Sequence, residues 1–216
     1  MQGTYKALES YKTETGNSLR LVEKEISDLP EGDLLVKVQY SSLNYKDAMS
    51  AKGFPGVTKN YPHTPGVDAV GTVIRDKSNT FTEGDEVIVT GFDLGVNTAG
   101  GFGEYIRVPS DWAIRLPSGL SVKDSMILGT AGLTAGLSIR ALESFRGIAN
   151  TKSVVSGSTG GVGSVAVKLL THLGSQVTAI SGKNSQHELL KSLGAETILS
   201  RENFQENVRK PLGKGI

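Results

Sequence analysis

Residues 153–163 read Ser153-Val154-Val155-Ser156-Gly157-Ser158-Thr159-Gly160-Gly161-Val162-Gly163, and they constrain this chain more than any other stretch. A short run with β-branched residues enters a tight glycine cluster. Residues 164–173 then carry apolar side chains at helical spacing. Strand, glycine turn and helix, in that order, are the context that a dinucleotide-binding fingerprint requires. The match is S-x-G-x-x-G, with Ser158 at the first fingerprint position and Gly160 and Gly163 at the others. Gly160 lacks a Cβ, so backbone there can approach a pyrophosphate, and Gly163 lets the helix pack closely on its strand. The helix N-terminus offers N–H groups and the positive end of a dipole. Ser158, Thr159, Gly160, Gly161, Val162 and Gly163 are therefore the expected pyrophosphate cradle.

The pattern continues past the glycines. A strand at 176–181, a helix at 185–193 and a strand at 196–200 complete one βαβαβ mononucleotide-binding half. A doubly wound sheet normally has a second half, and the sequence ends at Ile216. The expectation is a C-terminally truncated chain, poorly soluble alone because its half sheet lacks partner strands. Residues 122–143 read as helix despite Gly129, Gly132 and Gly136. Before residue 117 the chain is β-rich. Strand-like runs at 4–8, 18–26, 33–41, 67–74, 86–90 and 104–108 are separated by turn residues, with a short helix at 42–49 and a flexible glycine elbow at 100–103. The expected fold is α/β: a β-barrel-like domain over 1–121, then a partial Rossmann domain over 122–216.

A net charge of +1 leaves no broad pull toward nucleic acid or acidic membranes. The absence of cysteine excludes disulfides and thiolate zinc sites. The N-terminus carries no secretory pattern, and no apolar run reads as long enough to span a bilayer, which points to a cytoplasmic protein without membrane or nucleic-acid partners.

The end of the second Rossmann strand reads Ser181-Gly182-Lys183. An NAD-binding protein usually places an acid there to hold the ribose hydroxyls. Here Ser181 can donate to a 2′-phosphate, Gly182 leaves room for it and Lys183 supplies charge, with Arg201 following the third strand. These four residues predict NADPH over NADH.

Six motifs in order resemble the medium-chain dehydrogenase/reductase superfamily. They are Asn44-Tyr45-Lys46-Asp47, Pro65-Gly66-Val67-Asp68-Ala69-Val70-Gly71, Glu83-Gly84-Asp85-Glu86-Val87, Gly101-Phe102-Gly103-Glu104-Tyr105, Gly129-Thr130-Ala131-Gly132-Leu133-Thr134-Ala135 and the Rossmann loop. The wording of residues 41–47 and 129–132 is similar to the zinc-free quinone-oxidoreductase branch, in its acryloyl-CoA reductase-like subgroup. The resemblance implies a GroES-like catalytic domain, NADPH as cofactor and a homodimer at full length. It also implies hydride transfer to a small-molecule substrate, either an enoyl thioester such as acryloyl-CoA or a quinone. The alternative is a nucleotide-binding regulatory relative without catalysis, or an inactive fragment.

In the zinc alcohol dehydrogenases a cysteine and a Gly-His-Glu supply ligands where this chain has Asn44 and Gly66-Val67-Asp68, so no metal is expected. His63, His172 and His187 lack ligand spacing and read as surface or turn residues. The resemblance places Asn44 and Tyr45 at the nicotinamide, as ring- and substrate-orienting residues, with the Tyr45 hydroxyl a candidate proton donor. Tyr45 packed in the barrel and Asn44 capping a helix are the structural alternatives. Thr130 resembles a nicotinamide-contacting residue, and it also reads as a plain helix hydroxyl. Asp47, Asp68 and Glu104 read as structural acids.

Overall fold

The structure, a computed structural model, describes residues 3–202 of the 216-residue chain; Ile216, where the sequence ends, lies outside them. The chain divides into two compact units between Thr130 and Ala131. That division falls inside a helix, later than the change of sequence character at 121/122.

The first unit is β-rich. Its hairpin pairs β1 (Thr4–Thr13) with β2 (Gly16–Glu25), and a five-stranded antiparallel sheet follows. The sheet contains β3 (Leu34–Tyr40), β4 (Asp68–Asp76), β5 (Glu86–Thr90), β6 (Tyr105–Val108) and β7 (Ala113–Arg115), in the order β6-β3-β4-β5-β7. Alternate residues of each strand face one side. Leu34 and Val36, Val87 and Val89, and Ile106 and Val108 meet in one buried cluster with Val73 and Leu94. Full burial of such a side chain stabilises by roughly 1.5–3 kcal/mol, so a one-residue slip of register would forfeit the whole set. Gly71 is required by close approach: a Cβ there would lie 2.0 Å from the Lys37 carbonyl oxygen.

The hairpin is tied to the rest of this unit through Leu8 N–H donating to Phe102 O (2.9 Å) and Glu104 N–H donating to Lys6 O (3.0 Å). Glu104 Oε2 also accepts from Lys6 N–H at 2.7 Å, which gives this acid its structural role.

Two expectations for this unit are corrected, and one strand had not been expected. The glycines at 100–103 are no flexible elbow. A Cβ on Gly100 would sit 2.4 Å from Gly66 O, and one on Gly101 would sit 2.2 Å from Asp68 O, so these glycines are there because backbones touch. β7 was not foreseen, because three residues show too little alternation. His63 is neither a surface nor a turn residue. It is 6 % exposed and its backbone pairs with Ser10.

His63 carries a testable consequence. Burial lowers its pKa below the ordinary 6.5, outweighing the hydrogen bond with the Gly95 backbone that favours the charged form. The unfolded chain therefore takes up a proton that the folded protein resists, and stability present above the unfolded pKa is lost as pH falls through the folded one. The unfolding midpoint is expected to drop between about pH 6.5 and pH 5. His63→Gln should flatten that slope, whatever its effect at neutral pH; parallel slopes in thermal melts would refute this.

Helix α2 (Val122–Arg146) crosses the division and is broken at Gly129, whose φ is 48° and ψ −152°. By length and composition alone it is long and apolar enough to cross a membrane, which corrects the expectation that no segment is. Alanines, glycines and threonines interrupt its larger apolar residues, so no continuous apolar run marks it. The break leaves no straight helix over that length.

The second unit holds β8 (Lys152–Ser156), β9 (Gln176–Ile180) and β10 (Thr197–Leu199), parallel and in the order β10-β9-β8. Helix α3 (Gly161–His172) connects β8 to β9, and α4 (His187–Ser192), entered through a 3-10 turn at Asn184–Gln186, connects β9 to β10. Gly163, Val167 and Leu170 form the buried stripe of α3. The last two pack in a core with Val155, Val177, Ala179 and Leu190.

Candidate functional site

Chemistry-bearing residues gather in two places, one in each unit. In the first unit the organising group is Asp68. It opens β4 and is fully buried. Five donors converge on its carboxylate. Asn44 Nδ2 (2.9 Å), Thr130 N–H (2.9 Å) and Ser42 Oγ donate to Oδ2, while Thr130 Oγ1 (2.7 Å) and Thr90 Oγ1 donate to Oδ1. Burial alone would raise the pKa of this carboxyl. The hydrogen bonds from Ser42, Thr130 and Thr90 outweigh burial and hold it below the ordinary value, so it is ionised at neutral pH.

Gly129 makes the convergence possible. Its backbone lies in a region open almost only to glycine, and a Cβ would lie 2.8 Å from Asp68 Oδ2. The break in the helix at this residue goes with both donors of Thr130 meeting one carboxylate.

Asn44 is the N-cap of α1 (Tyr45–Ala51). Its backbone N–H donates to Asp47 Oδ2 (2.8 Å), and Asp47 Oδ1 accepts from Val67 N–H (2.9 Å). Asp47 is thus a structural clamp on helix and loop. Burial raises its pKa, and the two backbone hydrogen bonds only partly offset that. Asn44 combines the capping alternative with a place in the Asp68 cluster, since Nδ2 also donates to Ser42 Oγ (2.8 Å). Tyr45 is the first residue of α1 and is 83 % exposed, so it does not pack in the barrel. Thr130 is no plain helix hydroxyl, because both its N–H and its O–H are held by Asp68.

In the second unit the turn after β8 has the shape of a phosphate cradle. Gly157 has φ 60°, and its carbonyl accepts from Gly160 N–H at 2.9 Å. Gly160 is the N-cap of the twelve-residue α3, followed by Gly161 and Val162, both exposed. First-turn N–H groups have no acceptor within their own helix and point out of its end. A Cβ on Gly160 would stand 3.3 Å from Gly157 O, and one on Gly163 only 2.3 Å from the same atom.

Ser158 differs from its expected part. It is fully buried and its hydroxyl donates to Ile180 O at 2.9 Å, which ties the turn to β9 and takes the side chain away from a ligand. The positive φ of the turn falls one residue earlier, on Gly157. Thr159 is half-buried beside it.

Beyond β9, Ser181 is buried, and its Oγ accepts from Lys183 N–H at 3.0 Å. Gly182, Lys183 and Arg201 are exposed. A Cβ on Gly182 would be 3.9 Å from Arg201 Cβ, so the ends of β9 and β10 bring Gly182 and Arg201 together. Asp68 as a hub, Thr90 and Gly157 escaped the sequence reading. The signal for Asp68 was an acid opening a buried strand; Thr90 offered none.

Residues 30–118 match the alcohol dehydrogenase GroES-like domain. The chain is 47% identical over 192 residues to the probable acrylyl-CoA reductase AcuI of Escherichia coli, a match that covers 88% of this chain and 58% of that protein. Two solved structures superpose with a TM-score of 0.88. One is the yhdH oxidoreductase of Salmonella enterica in complex with NADP, 46% identical, with 92% of this chain and 62% of that one covered. The other is Bacillus subtilis protein yhfP with NAD bound, 40% identical, with 93% and 61% covered. The chain spans 58–65% of the length of the first curated relatives it matches. With its GroES-like domain and parallel βαβαβ unit in this order, the chain belongs to the medium-chain dehydrogenase/reductase superfamily, in its quinone-oxidoreductase and acryloyl-CoA reductase-like group.

Proposed function

We propose that the protein is a zinc-independent, NADPH-dependent oxidoreductase that reduces an activated double bond, in an enoyl thioester or a quinone, and that it works as a soluble cytoplasmic homodimer at full length. The observation that carries the reading is the turn into α3, where the N-cap Gly160 and the exposed Gly161 and Val162 leave first-turn N–H groups open at the helix end. Such a cradle suits a pyrophosphate. NADPH supplies the hydride when bound.

The chain's own residues divide the remaining work. Gly160, Gly161 and Val162 bind the pyrophosphate through backbone N–H groups. Lys183 and Arg201 hold the 2′-phosphate, and Ser181 shapes the loop that carries Lys183. In the first unit Asn44 and Thr130 orient the reacting ring. Tyr45, exposed at the start of α1, is the candidate to hold a proton for the substrate oxygen. The position of a zinc-ligating cysteine is taken by Asn44, whose amide is engaged with Asp68 and Ser42, and that of a zinc-ligating histidine by Val67. Neither donor set suits zinc.

Relatives solved with NADP and with NAD make the choice of nucleotide a sharp test. Titration of the full-length protein with both should favour NADPH. A charge-assisted hydrogen bond to the 2′-phosphate, taken at the low end for exposed groups, predicts about a ten-fold preference. Lys183→Ala should weaken NADPH binding and leave NADH nearly unchanged. Equal wild-type affinities, or equal losses in the mutant, would remove the 2′-phosphate reading. NADPH oxidation with a conjugated acyl thioester or a quinone, and none with simple alcohols, is the expected activity. Tight NADPH binding without any turnover would instead identify a non-catalytic relative.

A further inference from the structure

We propose that Asp68 is a positioning residue that locks the Thr130 hydroxyl into the role of hydrogen-bond acceptor, so that the first unit selects a cofactor ring whose substituent carries an N–H donor. The identity of the ligand rests on the nicotinamide reading above; the lock itself rests on geometry.

An ionised carboxylate can only accept. Every group facing Asp68 must therefore turn a hydrogen toward it. Thr90 Oγ1 and Thr130 Oγ1 both donate to Oδ1, and their own separation is 3.2 Å. With both protons committed to the acid, what each oxygen can offer elsewhere is a lone pair. On the other side Ser42 Oγ donates to Oδ2 and in turn accepts from Asn44 Nδ2. That contact and Asn44 Nδ2→Asp68 (2.9 Å) orient the amide, since only its NH₂ end can face a carboxylate.

The carboxylate is buried beyond the reach of water and receives three donors on one oxygen and two on the other. So many donors on one acid exceed what a helix cap or a strand end requires. Their shared effect is to set the polarity of Thr130 and Asn44, residues drawn from two separate segments. A carboxamide can donate to the Thr130 oxygen through its NH₂. A ring bearing an acetyl group offers only a carbonyl, which would meet that oxygen lone pair to lone pair.

The test uses NADPH and its 3-acetylpyridine analogue, titrated by intrinsic fluorescence against the full-length wild type, Asp68→Asn and Thr130→Val, with a thermal melt of each. The wild type should bind the analogue about three- to ten-fold more weakly than NADPH, the worth of one neutral hydrogen bond. In Asp68→Asn the side-chain amide can donate as well as accept, which releases the hydroxyl protons, and the ratio of the two dissociation constants should fall toward one. Thr130→Val removes the accepting oxygen, should give the same collapse, and carries the test if Asp68→Asn does not fold. A purely structural Asp68 would weaken both ligands by one factor and keep the ratio. An unchanged ratio in the folded variants, or a wild-type ratio of one, overturns the lock. Failure of the wild type to bind either nucleotide overturns both the lock and the cofactor reading, whereas binding without discrimination overturns the lock alone.

Discussion

Gly129→Ala is expected to destabilise the protein by about 2–5 kcal/mol, combining backbone strain with overpacking. Two independent penalties act at this one residue. Its φ of 48° with ψ −152° is a conformation that side chains with a Cβ rarely adopt. The added methyl would also lie 2.8 Å from Asp68 Oδ2 and 3.0 Å from Ser42 Oγ. Relief requires moving a buried carboxylate, and with it the donors from Ser42, Asn44, Thr90 and Thr130. For a chain of this size the unfolding temperature should fall by roughly 5–15 °C. Gly136 in the same helix is the control. Nothing lies within 4 Å of a Cβ there, so Gly136→Ala should be neutral or stabilising by about 0.5–1 kcal/mol. Melts in which the two variants behave alike would show that Gly129 is an ordinary helix glycine and that the break has no energetic content.

The contrast between these glycines marks how far the sequence was legible. The βαβαβ unit could be read because its signals are local: a β-branched run at 153–155, glycines at one turn, and apolar residues at helical spacing through Val167 and Leu170. The longer antiparallel strands could be read for the same reason, since alternation is a property of neighbours, whereas the three residues of β7 are too few to show it. Asp68 could be seen only as an acid at the start of a strand. Its partners lie at 42, 44, 90 and 130, and no periodicity links those positions. Gly129 looked like a weak point in a helix because propensity treats every helical glycine alike. Whether a glycine is tolerated or required depends on φ and on what stands opposite, and both are tertiary facts. Ser158 could be read only as a fingerprint position. The positive φ at Gly157 and the buried bond from Ser158 to Ile180 depend on how the turn meets β9, which no spacing announces. His63 failed similarly, since a lone histidine carries no sign of its burial.

The cradle glycines should separate into two classes when each is replaced by alanine. A Cβ on Gly163 would meet three backbone atoms, Gly157 O at 2.3 Å, Gly157 C at 2.8 Å and Ser158 Cα at 2.8 Å. None of these can rotate away as a side-chain tip would, so α3 must shift off the turn that follows β8. Gly163→Ala is expected to cost about 1–3 kcal/mol of stability through overpacking. It should also displace the first-turn N–H groups, with NADPH affinity falling about a hundred-fold or more, the equivalent of roughly two lost charge-assisted hydrogen bonds. Gly160 is different. Its φ of −83° suits any residue, and a Cβ there would stand 3.3 Å from Gly157 O, a contact that a small adjustment relieves. That methyl would occupy the space a phosphate needs, so Gly160→Ala should keep its melting temperature within a few degrees and still lose nucleotide affinity. Paired titrations and melts on both variants decide the matter. If Gly160→Ala bound NADPH as tightly as the wild type, the backbone at Gly160 would not approach the pyrophosphate. If Gly163→Ala kept both its stability and its affinity, the close approach of α3 to its strand would not be what shapes the cradle.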